Sequence, residues 1–410
     1  MDEGRYRPAR GEGLSPEAER ALDSLGYLPG YNEASSRTGV TVYDKDKAQK
    51  GLNFFTSGHG PVALLMDMDG RVIHNWSYPA EKVWLNQDSI PPQPYLKTFW
   101  RRAHLYPNGD VLAVFEGLGI IRLDKDSNLK WAHRGGEHHD VFVDDDGRIY
   151  VLTRKMEASP WNTTILEDYV TILDSDGRLL EEHSLLDCLM NSDYGRLIQE
   201  IEGLEGDIFH ANSIQVLDGS LYHKSPLYRR GNLLVSLRNV HAVGVVNLDL
   251  REFVWLTRGP RKNQWIMQHE AVLEDDGIIS LFDNRGDESG FGESRILRFD
   301  PLSMKIVWSY PGARENIFQT RTCGTQQILP NGNMLIAESD NGRAFEITSS
   351  GELVWEYVSP YRAGNESQLV ATLFHMDRVK PGYLDFTRKK KKSWGRWSAY
   401  GISGLIIKIL

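Results

Sequence analysis

The chain has 410 residues, 40% of them hydrophobic and 25% charged, which is apolar material enough for one large core. Its formal net charge of −9 excludes a general nucleic-acid binder, because neutralising phosphates needs a basic face. Two cysteines, Cys188 and Cys323, are too few for a disulfide framework and lack metal-ligand spacing, so both read as buried thiols.

Residues 1–38 form a polar, charged extension with one short helical stretch around Ser15 to Leu25. No basic segment followed by an apolar run is visible there, so the chain reads as cytoplasmic. From residue 39 to 385 one phrase returns: an acidic residue, a turn, a glycine or small residue, apolar residues and a tryptophan. It reads DMDGRVIHNW to Trp76, DKDSNLKW to Trp131, DSDGRLLEEH to His183, LDLREFVW to Trp255, DPLSMKIVW to Trp308 and TSSGELVW to Trp355. The spacing is about that of a four-stranded unit and makes six of them, with an insertion implied between His183 and Trp255. Between the phrases lie hairpin signals, apolar runs around Pro-Asn-Gly or Asp-Asp-Gly, in HLYPNGDVLAVF, VFVDDDGRIYVLT, AVLEDDGIISLFDN and QILPNGNMLIAES. No amphipathic helix is evident between about residues 40 and 380.

These units predict an all-β fold, a six-bladed β-propeller of four-stranded antiparallel blades. GPVALLMDMDGRVIHNW begins partway through a unit, and LVATLFHMDRV, Leu369 to Val379, follows the sixth phrase as a lone strand. The two ends of the chain are therefore expected to complete one blade and close the ring. The tryptophans read as apolar plugs between blades. Residues 386–410 form a tail with a basic run, Arg388 to Lys392, then Trp394, Trp397 and GISGLIIKIL, a stretch too short to span a bilayer, so no integral membrane segment is expected.

Three histidines recur at nearly one point of the hairpin pattern. His139 stands eight residues before Gly147, His269 eight before Gly277 and His210 nine before Gly219. In a closed ring they should face one another near the axis. Each hairpin returns to the same edge, which brings Arg238 beside His210, Asp283, Asn284 and Arg285 beside His269, and Arg154 and Lys155 beside His139. The same register adds Arg101 and Gly324, and Asn212 points to the side of His210. Imidazoles with guanidinium in an acidic protein suit a small anion with a polarised leaving group. His59, His74, His133, His183, His223, His241 and His375 read as surface or packing residues.

HHD at His138 to Asp140, DIFHANSI at Asp207 to Ile214, LVSLR ending at Arg238, WLTRGP at Trp255 to Pro260, QHEAVLEDDG at Gln268 to Gly277 and LFDN at Leu281 to Asn284 resemble, in order and context, the bacterial arylsulfotransferase family. Those enzymes move sulfuryl groups without a nucleotide sulfate donor, on a six-bladed propeller. The resemblance runs from roughly Gly51 to Val379. It implies His269 as nucleophile, His210 and His139 as partner histidines and Arg238 as oxyanion ligand. Asn212 matches the motif asparagine, and Asn284, Arg285 and Arg101 complete a substrate-binding set. It implies an aryl sulfate donor, a phenolic acceptor, and neither cofactor nor metal. It also implies a periplasmic location, whereas the small disulfide loop of periplasmic members has no counterpart between Trp255 and Gln268. Two other functions fit the residues. Three converging histidines can hold iron, zinc or copper, and a propeller can be a binding scaffold without catalysis.

Overall fold

The computed structural model describes residues 30–84, 99–260, 264–285, 293–311, 318–363 and 367–386. The strand phrases become six antiparallel sheets arranged in a ring. Every hairpin signal forms the inner two strands of a blade: Arg102–Leu105 with Val111–Phe115, Glu137–Val143 with Ile149–Ala158, His269–Leu273 with Ile279–Asp283, and Thr325–Ile328 with Met334–Glu338. The turn glycines allow this, because Gly109, Gly147, Gly277 and Gly332 sit at φ between 81° and 91°, which side chains rarely adopt. Each of the six phrases supplies the fourth strand counted from the axis. Ring closure follows the expected route: Leu373–Val379 pairs antiparallel with Leu52–Ser57, from Leu52 opposite Val379 to Ser57 opposite Leu373, inside the sheet that holds Val62–Met66 and Val72–Ser77. The late strand is the innermost of its blade.

The tryptophans do more than fill space. Trp76 and Trp355 are fully buried, and their indole N–H groups donate to the carbonyls of Gly109 and Met68 in the adjoining blades, at 2.9 and 3.1 Å. Trp131 and Trp308, half-buried, reach Ser175 and Ser349 in the same way. An apolar plug with one satisfied donor therefore locks successive sheets against slippage.

Two features were not legible. Gly39–Tyr43 adds a fifth, outer strand to the sixth blade, pairing with Leu353–Val358. The expected absence of helix is corrected by Leu185–Met190 and Gly195–Ile201, which lie in the insertion between His183 and Trp255. At six and seven residues they are too short to show a helical period. Ser184 caps the first by accepting the Asp187 N–H, and Leu185, Leu189, Leu197 and Ile201 bury against the third and fourth blades. Cys188 and Cys323 are free and buried, as expected.

All six inner strands run in the same sense, so their first residues share one mouth of the ring. Where the strands of the third, fourth and fifth blades end, at the opposite mouth, lies a cavity of about 380 Å³ lined by Asp144, Asp145, Asp146, Asp218, Glu274 and Asp275 among others. Its acidic lining repels anions.

Candidate active site

At the first mouth the predicted residues meet and are buried. His139, His210, His269, Arg101 and Arg238 are each at most 6% exposed. His139, in a bulge of its inner strand, and His210, just before its own, adopt left-handed backbone, φ 54° and 52°, a strained conformation. In the fifth blade the left-handed residue is Glu270, φ 48°, and His269 precedes it. The three histidines are thus not strictly equivalent, although all point inward.

His139 and His210 form a pair, Nε2 to Nε2, at 3.1 Å. Behind His210 the Asp207 carboxylate accepts the Nδ1–H, and its other oxygen accepts the His210 backbone N–H at 2.8 Å. Asp207 is delivered by Gly206–Asp207, a short strand running parallel to Thr164–Leu173 of the long hairpin in the third blade. Behind His139 lie Glu116, 3.4 Å from Nδ1 and bonded to the backbone N–H at 3.0 Å, and His138, whose Nδ1 is 2.7 Å from His139 Nδ1. Burial, and next the charge of His210, hold His139 well below the usual imidazole range. Burial works against ionisation of Asp207, but the adjoining His210 draws it below the ordinary carboxylate value.

His269 has a different backing. Its Nδ1–H donates to Asn284 Oδ1 at 2.8 Å and lies 3.2 Å from the Met267 carbonyl. The amide is oriented by its own NH₂, which donates to the carbonyls of Thr320 and Cys323 at 3.0 and 2.8 Å, so its oxygen must face the ring. The tautomer follows: hydrogen on Nδ1 and the lone pair on Nε2. Burial first, and then Arg238, push the His269 pKa well below the usual range, so the ring is neutral at physiological pH. Asn284, expected to bind substrate, instead positions the histidine. Replacing it with aspartate should raise the His269 pKa, since a carboxylate favours imidazolium, and a base with a raised pKa loses its lone pair at higher pH. The acid limb of the rate–pH profile should therefore move upward toward neutrality; an unmoved limb would refute this role for Asn284.

Arg238 donates from Nη1 to Asn239 Oδ1 at 3.0 Å, while its buried Nε has no hydrogen-bond partner. Arg101 lies over the Phe374 ring at 5.3 Å, and its charge, like that of Arg238, reaches His269. Asn212 donates to the Gln268 carbonyl at 2.8 Å and leaves Oδ1 buried without a hydrogen-bond partner. Arg285 is exposed, unlike the rest, and its backbone N–H bonds the Ile266 carbonyl. Arg154 reaches the site through Glu116, at 3.2 Å, whereas Lys155 turns outward to Glu182.

The residues missed by sequence reasoning are Glu116, His138, Asp168 and Asp207. Glu116 follows Val111–Phe115 at the very return position occupied by Arg154, Arg238 and Asn284, so the hairpin register applied to the second blade points to it. His138 and Asp207 stand inside the quoted HHD and DIFHANSI segments.

Comparison with known proteins agrees with this fold. Among solved structures, a protein of unknown function from Bacteroides caccae is similar at 12% identity and TM-score 0.51, covering 81% of this chain and 99% of that one. A streptogramin B lyase is similar at 14% identity and TM-score 0.46, covering 86% and 97%. A virginiamycin B lyase from Staphylococcus aureus is similar at 13% and TM-score 0.36, covering 63% and 69%. At such identities the likeness concerns the fold alone. No curated protein matches the sequence significantly. The family described as Arylsulfotransferase (ASST) matches residues 102–360, well over half of the chain and all of the site from Arg102 onward, and the chain belongs to that arylsulfotransferase family.

Proposed function

We propose that this enzyme moves a sulfuryl group from an aryl sulfate to a phenolic acceptor through a sulfohistidine on His269. The observation that supports the reading most is the Asn284 hydrogen bond, which fixes the hydrogen on Nδ1 and the lone pair on Nε2 of a neutral ring that feels the charges of Arg238 and Arg101. In the first step Nε2 attacks sulfur and the bond to the phenolic oxygen breaks. The departing oxygen takes the proton held between His139 and His210. In the second step an acceptor phenol returns a proton to that pair, its oxygen attacks sulfur, and the N–S bond breaks to restore His269. Arg238 and Arg101 hold the nonbridging oxygens, where charge spreads as in phosphoryl transfer. Asn212 Oδ1, a buried acceptor, takes the hydroxyl of the incoming phenol.

The deciding experiment is a transfer assay with a chromogenic aryl sulfate and a phenol, without nucleotide. Sulfated acceptor formed in step with phenol release is expected; no turnover across a panel of aryl sulfates would remove the function and leave the fold.

A metal-dependent reading draws on one grouping, Glu116, His138 and His139, whose ligand atoms lie within 4.8 Å of one another. Arg154, 3.2 Å from Glu116, already supplies that carboxylate with a cation. Transfer activity is therefore expected to be unchanged after exhaustive chelation; activity that falls and returns with stoichiometric zinc would favour the metal.

A further inference from the structure

Behind His139 lies a buried row of groups that the two-step reaction does not use. His139 meets His138 at 2.7 Å, Nδ1 to Nδ1, with the rings 88° apart, and His138 turns its Nε2 to within 3.1 Å of Asp168 Oδ1. His138 and Asp168 are 1% and 2% exposed, so neither exchanges protons directly with solvent. The other Asp168 oxygen accepts the Ala211 N–H at 3.0 Å, which holds the carboxyl in place at the entry to the inner strand of the fourth blade.

We propose that His138 and Asp168 form a proton relay behind His139, in which Asp168 stores the proton that the leaving phenol takes. The inference rests on the sulfuryl-transfer reading and extends it. Each link of the row holds one hydrogen. With Asp168 protonated, His138 carries its hydrogen on Nδ1 and His139 on Nε2, and both rings are neutral. When the departing oxygen takes the hydrogen from His139 Nε2, the His138 Nδ1 hydrogen passes to His139 Nδ1. The Asp168 hydrogen passes to His138 Nε2. Both rings end neutral with reversed tautomers, Asp168 becomes a carboxylate, and the phenol departs uncharged. An acceptor phenol reverses every hop, so one complete transfer returns the proton without help from water.

The surroundings favour such a store. Burial, reinforced by the charge of Asp207, pushes Asp168 up to about 8, while His210 and Arg154 pull the other way. That lies between neutrality and the value of roughly 10 for a phenol, which suits an acid of this task. His138 is faced by Arg154, Glu116, Asp207 and the Thr153 carbonyl as well as by His139 and Asp168, and burial holds it down to about 4, so it carries protons without resting as a cation. Its Nε2 stands 3.1 Å from Asp168 Oδ1 without an aligned hydrogen bond in this ring orientation, and a rotation toward Asp168 completes the last link.

The relay is tested in two ways on the full chain. Phenyl sulfate has a basic leaving group that needs a proton, whereas 4-nitrophenyl sulfate has one that barely does. In His138→Gln and Asp168→Asn the rate with phenyl sulfate should fall about 100-fold and that with 4-nitrophenyl sulfate by less than about threefold. Equal losses with both donors would reduce the two residues to structural parts and overturn the relay. The second readout needs no turnover: nitrogen-15 spectra of labelled histidine should show His138 switching from Nδ1–H to Nε2–H as Asp168 ionises between about pH 6 and pH 10, and the switch should vanish in Asp168→Asn. A single His138 tautomer throughout would overturn the relay. A wild type inert toward both donors but showing the switch would instead count against the sulfuryl-transfer reading.

Discussion

Replacing His269 with alanine should lower transfer from any aryl sulfate by at least about 10⁴-fold, the scale on which loss of a nucleophile that works as part of a unit is felt. No neighbour can take its place. His210 has Nδ1 committed to Asp207 and Nε2 to His139, and His139 is engaged at both nitrogens. The His269 ring has its donor side fixed at Asn284 and lies under the influence of Arg238 and Arg101. The substitution leaves Asn284 Oδ1 buried without its donor, at a cost of about 1–3 kcal/mol, small enough for the ring to remain folded. The measurements are the transfer rate, the thermal midpoint, and retention of radioactive sulfur on protein quenched during turnover in alkali, where an N–S bond survives. Wild type should hold label and His269→Ala should not. A labelled, active alanine variant would end the sulfohistidine proposal.

The largest effect on stability is expected from ending the chain before Leu369. The lost strand, Leu373–Val379, is the innermost of the first blade, and Leu373, Phe374 and Met376 are essentially inaccessible. Burial of those three side chains alone contributes roughly 5–9 kcal/mol, comparable with the whole stability of a typical domain. Removing Arg378 also strands Glu346, its buried partner at 2.9 Å, and leaves Asn53 without the guanidinium it accepts from at 2.8 Å. Leu52–Ser57 would then present an open edge to the axis, a template for aggregation. Insoluble or non-cooperatively melting protein is the expected result; a soluble truncated form with a sharp thermal transition would sink the account of ring closure.

Much of this architecture was legible because a propeller writes itself locally. The Asn-Gly and Asp-Gly turns, the alternating strands and the tryptophans of the outer strands are short-range signals that recur from blade to blade. Arg238 and Asn284 could be placed beside their histidines for the same reason, since a hairpin with a known turn has a known register. The helices at Leu185–Met190 and Gly195–Ile201 escaped notice because their order comes from burial against two blades and not from an internal period.

What the amino-acid sequence determined by itself is the set of candidates: six blades, one mouth, and the histidines and arginines that a common register sends there. What only the tertiary structure decided is the partner and surroundings of each. His269 carries its hydrogen on Nδ1 because Asn284, oriented by carbonyls of the next blade at Thr320 and Cys323, accepts it there. His139 and His210, each in left-handed backbone, bring rings from adjacent blades to within 3.1 Å, Nε2 to Nε2. A tautomer and a proton's position depend on partners far away in the chain and on exclusion of water. Neither quantity exists until the ring has closed and the site is dry.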